Sequence, residues 1–118
     1  MGATRIGHGI HIVDDAANLA RARELGLHFE VCPSSNLHTG AAASLAAHPL
    51  PAMLRAGLAV SISTDNRLMS GVNLSDELRA VHRTFGLDPA ALRRLQRDAA
   101  AASFLQEPVR AAALAAIG

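Results

Sequence analysis

Leu58-Ala59-Val60-Ser61-Ile62-Ser63-Thr64-Asp65-Asn66 decides how the chain is read. Residues 58–62 are nearly continuous in apolar side chains, and the run ends abruptly in hydroxyls, an acid and an amide. A short, unalternating apolar segment is the pattern of a strand buried on both faces, which belongs to a parallel sheet covered by helices. The expectation is an α/β fold whose chemistry sits at the C-terminal end of this strand, on the loop that leaves it.

Working outward, the same alternation repeats. Pro51 suits the first position of a short helix through Met53 and Leu54 that stops at Gly57. Before it, Leu27 to Val31 reads as a strand followed by the polar loop Cys32-Pro33-Ser34-Ser35-Asn36. Asp14 or Asp15 can cap a helix through Ala17, Leu19, Ala20 and Leu25 with Gly26 as its stop. Ahead of that, Arg5 and Ile6 lead into Gly7-His8-Gly9, a short strand broken by two glycines. Downstream, Ser75 is expected to cap a helix with the stripe Leu78, Val81 and Phe85, closed by Gly86. Asp88 and Pro89 open another carrying Leu92, Leu95 and Ala99, and an alanine-rich helix follows Pro108. The prediction is three consecutive parallel strand-helix units plus C-terminal helices in one domain over residues 1–118, without an internal boundary. His8, the Ser34 to Asn36 segment and Asp65-Asn66 then all lie at strand C-termini, where three loops converge on one site.

Composition narrows the function. Eleven basic residues, all Arg, stand against ten acids for a net charge of +1, and the arginines are scattered. That leaves no basic footprint for nucleic acid, and three Phe without Trp or Tyr provide no stacking platform. A single cysteine excludes a disulfide framework and a four-cysteine zinc site, and a reducing, cytoplasmic setting is expected. The N-terminus lacks the pattern of a signal peptide, and Ile6 stands where a myristoylation motif requires Ser or Thr. No apolar run approaches the roughly 20 residues of a membrane span.

The polar residues each admit two readings. His8, between two glycines, leaves its imidazole open to a ligand, or it merely completes a turn. Asp65 projects into the mouth of the sheet and there calls for a cation or several donors, or it forms an Asx-turn. A metal pair of His8 with His11 is disfavoured, since positions three apart on a strand face opposite sides. Cys32 lacks a base at a recognisable spacing. His28, His38 and His48 recur at intervals of ten, which matches no ligand geometry.

Arg5-Ile6-Gly7-His8-Gly9, Cys32-Pro33-Ser34-Ser35-Asn36 with Thr39-Gly40, and Ser61-Ile62-Ser63-Thr64-Asp65, in that order, resemble the adenosine deaminase family. Asp98-Ala99 followed by Ala102-Ser103-Phe104-Leu105 resembles the family's last-helix signature, which usually begins with Asn. Members are zinc-dependent (β/α)8 barrels of the metal-dependent hydrolase type, roughly three times this length. The resemblance implies that the three strands are barrel strands six, seven and eight.

It also implies roles. Asp65 matches the zinc ligand after strand eight, and His8 matches the catalytic histidine that orients the attacking water. The family's His-x-His pair, its strand-five His and its proton-donating Glu have no counterpart here. Asn66 stands where the family commonly has a second Asp donating to purine N7; an amide NH2 donates at any pH, so Asn66 is expected to bind substrate. The implied reaction of a complete enzyme is hydrolytic deamination of a purine nucleoside, adenosine to inosine and ammonia, with zinc activating the water. With one carboxylate ligand, these 118 residues alone are expected to be inactive. The alternative is a non-catalytic α/β module acting through protein contacts. Two unpaired strand edges and bare apolar inner faces invite self-association or complementation by the missing barrel segment.

Overall fold

The computed structural model describes residues 2–118; Met1, the first residue of the expected domain, lies outside the described residues. Three strands, β1 (Arg5–Gly7), β2 (His28–Val31) and β3 (Ala59–Ile62), form one sheet in the order β1-β2-β3. Both pairings are parallel, with Ile6 beside Phe29 and Phe29 beside Val60. Between β1 and β2 lie a 3-10 turn (Ile10–Asp14) and α1 (Ala16–Glu24); between β2 and β3 lie α2 (Pro33–His38) and α3 (Leu50–Arg55). After β3 come α4 (Arg67–Ser70), α5 (Leu74–Phe85), α6 (Pro89–Ala102) and α7 (Glu107–Ile117). The α/β prediction of three parallel strand-helix units followed by C-terminal helices is therefore met.

Local chemistry accounts for the boundaries. The Asp15 carboxylate accepts from the backbone N–H groups of Ala17 and Asn18 and starts α1, which identifies the cap between the two candidates. Three expectations need correction. Of segment 32–36, expected as a loop, residues 33–36 are helical and begin α2: Pro33 fills the first helical position, where its missing N–H costs nothing. The cap of α5 is Asn73 and not Ser75, because Asn73 and Asp76 form a reciprocal capping box. His11 lies on the 3-10 turn, not on a strand, so strand geometry does not govern its relation to His8; its Nδ1 pairs with Asp14 at 3.0 Å.

The core gathers Phe29, Val31, Leu50, Met53, Leu58, Val60, Val81 and Leu95, each almost fully buried. Along β2 and β3 alternate residues point to opposite faces, yet both sets are buried: Phe29, Val31 and Val60 on one, His28 and Ser61 on the other. The expectation of a bare inner face thus fails for these two strands, because α3, α5 and α6 all pack against β3 and α6 also reaches β2. The outer edges of β1 and β3 have no strand partner among the described residues. Arg5 on the β1 edge pairs with Glu30, donates to the Ala102 carbonyl and lies 4.3 Å from the centre of the Phe104 ring. The segment at the end of α6 is thereby tied to the first strand.

Candidate active site

The C-terminal ends of the three strands bring His8, Ser35, Asn36 and Asp65 of the expected residues to one cavity. His8 follows β1 and its backbone N–H donates to the Glu30 carbonyl of β2, which aligns the turn with the sheet. Asp65 follows β3. Their side chains meet with His8 Nε2 3.6 Å from Asp65 Oδ2, both a little under half exposed (45% and 43%). From α2, the Ser35 hydroxyl donates to Asp65 Oδ2 at 2.8 Å, and Asn36 Nδ2 stands 3.5 Å from His8 Nδ1. These groups border a cavity of about 530 Å³ whose wall also includes Ile10, Phe29 and Thr39.

His8 and Asp65 are the two non-glycine residues with positive φ among the described residues, at 59° and 55°. Left-handed backbone costs a residue with a Cβ on the order of 1 kcal/mol. Strain at both members of the facing pair, and at no other side-chain-bearing residue described, marks the place where position outweighs backbone comfort. Gly9, at φ +65°, completes the turn: a Cβ there would come within 2.9 Å of the Phe29 ring.

Asn66 lies beside this cluster. Its Oδ1 accepts from the Leu68 and Met69 N–H groups and caps α4, so its NH2 is the end left to donate. The side chain does not line the cavity that His8 and Asp65 share.

Cys32 lies buried between β2 and α2, and burial, reinforced by Asp65, Glu77 and Glu30, pushes its thiol up to about 11. At pH 8 about a thousandth of it is thiolate, which removes it as a nucleophile. Alkylation of the folded chain by iodoacetamide at that pH is expected to be far slower than in urea; equal rates would contradict the burial.

The sequence reading placed Asn36 in the converging segment 34–36, but it missed His48 and the bond that joins the two. Asn36 and His48 are each 3% exposed and hydrogen-bonded to one another, His48 Nε2 to Asn36 Oδ1 at 3.0 Å. His48 Nδ1 accepts from the Leu50 N–H at 3.1 Å. Nothing in the residue spacing links position 48 to Asn36 or His8; the Pro49 that follows His48 at a helix start is the one local signal.

Burial has a consequence for pH. Desolvation holds His48 below the ordinary 6.5, and it does the same to His28 against the opposing pull of Asp98 and Glu30. Both bind protons more weakly folded than unfolded, so the stability they contribute is complete above 6.5 and lost as pH falls below it. Glu77 has the opposite sign: burial raises its carboxyl, despite the Ser34 N–H it accepts, so its contribution is present at low pH and lost as pH rises. In a Glu77→Gln background, the urea midpoint is expected to fall between pH 7.5 and 5.5, and a flat profile would refute the histidine assignment.

Comparison with known proteins follows the same lines. The adenosine deaminase family profile matches residues 1–117. An adenosine deaminase of Mycolicibacterium gilvum is 39% identical over 94% of this chain and 34% of its own length. Among solved structures, an adenine deaminase from Arthrobacter aurescens superposes with a TM-score of 0.94 at 28% identity, over 98% of this chain and 35% of that one. A Zn-bound amidohydrolase from Burkholderia ambifaria superposes with a TM-score of 0.85 at 27% identity, over 98% and 32%. The chain spans about a third of the length of the curated relatives it matches. It belongs to the adenosine deaminase family.

Proposed function

We propose that the chain forms the last third of a zinc-dependent barrel that deaminates adenosine hydrolytically in the cytoplasm, with His8, Asp65 and Asn66 as its share of the active site. The observation that carries this reading is the meeting of His8 and Asp65 at the ends of β1 and β3, two residues whose motifs resemble the family's, in a chain the family profile matches over residues 1–117. Asp65, held by the Ser35 hydroxyl, is the carboxylate suited to hold zinc. Among the described residues no group of three His, Cys, Asp or Glu could bind a metal, so the donor set fits as one part of a shared site. Zinc, when bound, supplies Lewis-acid activation of the attacking water. His8 orients that water and stabilises charge as C6 is attacked. Asn66 stands beside that cavity with its oxygen occupied by the start of α4, so its NH2 is the group left to reach purine N7 from the cavity's margin.

This reading takes strands one to five as lying outside these 118 residues, and the edges of β1 and β3, unpaired among the described residues, are where strands five and one would add to close the barrel. Purified chain with zinc is expected to release no inosine from adenosine, whereas the chain joined to a segment supplying strands one to five converts it, with adenine assayed in parallel. Deamination by the chain alone would overturn the shared-site reading. A folded, zinc-loaded complete barrel inert toward both would overturn the assigned reaction.

A further inference from the structure

We propose that His48 is a positioning residue that sets, through Asn36, the tautomer and ring orientation of His8. The inference deepens the reading of His8 as a site residue, and it rests on a chain of hydrogen bonds whose directions follow from one fixed donor, the Leu50 N–H. The Leu50 N–H can only donate, so His48 Nδ1, 3.1 Å away, carries a lone pair. A neutral imidazole then bears its proton on Nε2, which donates to Asn36 Oδ1 at 3.0 Å. With its oxygen engaged, the Asn36 carboxamide turns its NH2 toward His8 Nδ1 at 3.5 Å. An NH2 cannot accept, so His8 Nδ1 is the lone-pair nitrogen and Nε2 carries the proton, facing Asp65 Oδ2 at 3.6 Å.

The relay starts from a group that cannot move. Leu50 is the first residue of α3 and fully buried, and its N–H is one of the helix-start donors that have no partner within the helix. Pro49 immediately precedes it, and burial depresses the proton affinity of His48, which favours the neutral ring the relay needs. Asn36 is pinned from its backbone as well: its N–H donates to the Cys32 carbonyl, and its own carbonyl accepts from the Ala42 N–H. A carboxamide held this way has two orientations, related by a flip, and the His48 N–H selects one.

The test reads tautomers in the 118-residue chain by long-range 1H–15N correlation at pH 8. Wild type is expected to show His48 and His8 both protonated on Nε2. His48→Leu frees the Asn36 amide to flip its oxygen toward His8 and should lower the Nε2–H to Nδ1–H ratio of His8 about tenfold, the equilibrium worth of one ordinary hydrogen bond. His48→Gln keeps an acceptor for Leu50 and a donor for Asn36, and should restore the wild-type ratio. A role confined to capping α3 would leave the His8 ratio unchanged in both variants, and that outcome overturns the proposal. Should His48→Leu not fold, Asn36→Asp replaces the donor facing His8 with an acceptor and is expected to move the His8 proton to Nδ1; no change refutes the relay. A wild-type His48 protonated on Nδ1 refutes it without any variant. Because no measurement involves turnover, failure here leaves the proposed deamination standing, and failure of that reaction leaves the tautomer result intact.

Discussion

Phe29→Ala is expected to destabilise the chain by about 3–5 kcal/mol, the cost of deleting a buried aromatic ring and leaving a cavity. Phe29 is 1% exposed at the centre of the sheet, in register with Ile6 of β1 and Val60 of β3, so its ring belongs to a row crossing all three strands. The ring also supports the turn that carries His8: a Cβ built on Gly9 would stand 2.9 Å from Phe29 Cδ1 and 3.0 Å from Ile6 Cγ2. Removing it opens space on two sides, against β1 and under residues 7–9. A domain of this size has roughly 5–15 kcal/mol in all, so the variant should lie near the unfolding threshold. Urea denaturation followed by circular dichroism measures it. A loss under about 1 kcal/mol would show that the site collapses around the deletion and that the row does not organise the sheet.

What could be read from the sequence divides along the range of the interactions. β3 and Asp65 were legible because an apolar run ending in acid and amide is a local signal, and local signals also located α1 and α6. Segment 32–36 was misread because its cues conflict. Ser and Asn favour turns, and Pro33 serves a loop or the first position of a helix equally well. The capping box of α5 turned on which of two nearby polar residues reached Asp76, a matter of backbone geometry. Burial on both faces of β2 and β3 was hidden because the helices responsible lie far along the chain. The link from His48 to His8 was out of reach for the same reason. It joins β1, α2 and the approach to α3 through contacts that exist only after the sheet has formed. Family motifs pointed to His8 and Asp65 as the proposed pair, and the fold shows what holds them.

His8 is where stability and function are expected to part. At φ 59° it carries a Cβ where glycine is comfortable, so His8→Gly should raise the stability of the 118-residue chain by about 1 kcal/mol, and His8→Ala should not. The backbone N–H bond to Glu30 survives either change, and the side chain is nearly half exposed, so little packing is lost to offset the gain. In the barrel completed with strands one to five, both substitutions should lower kcat/KM for adenosine by about 10²–10⁴-fold, the range for losing a positioned acid-base group. Two measurements separate the effects: the urea midpoint of the chain and steady-state kinetics of the complete enzyme with zinc content measured alongside. Loss of activity with zinc retained places His8 in the reaction, whereas parallel loss of zinc and activity would reassign it to metal binding. A glycine variant no more stable than the alanine variant would mean that the left-handed turn is not strained. The proposed cause is the Asn36 amide, which fixes the ring from one side while Asp65 faces it from the other, and the backbone accommodates the ring so placed.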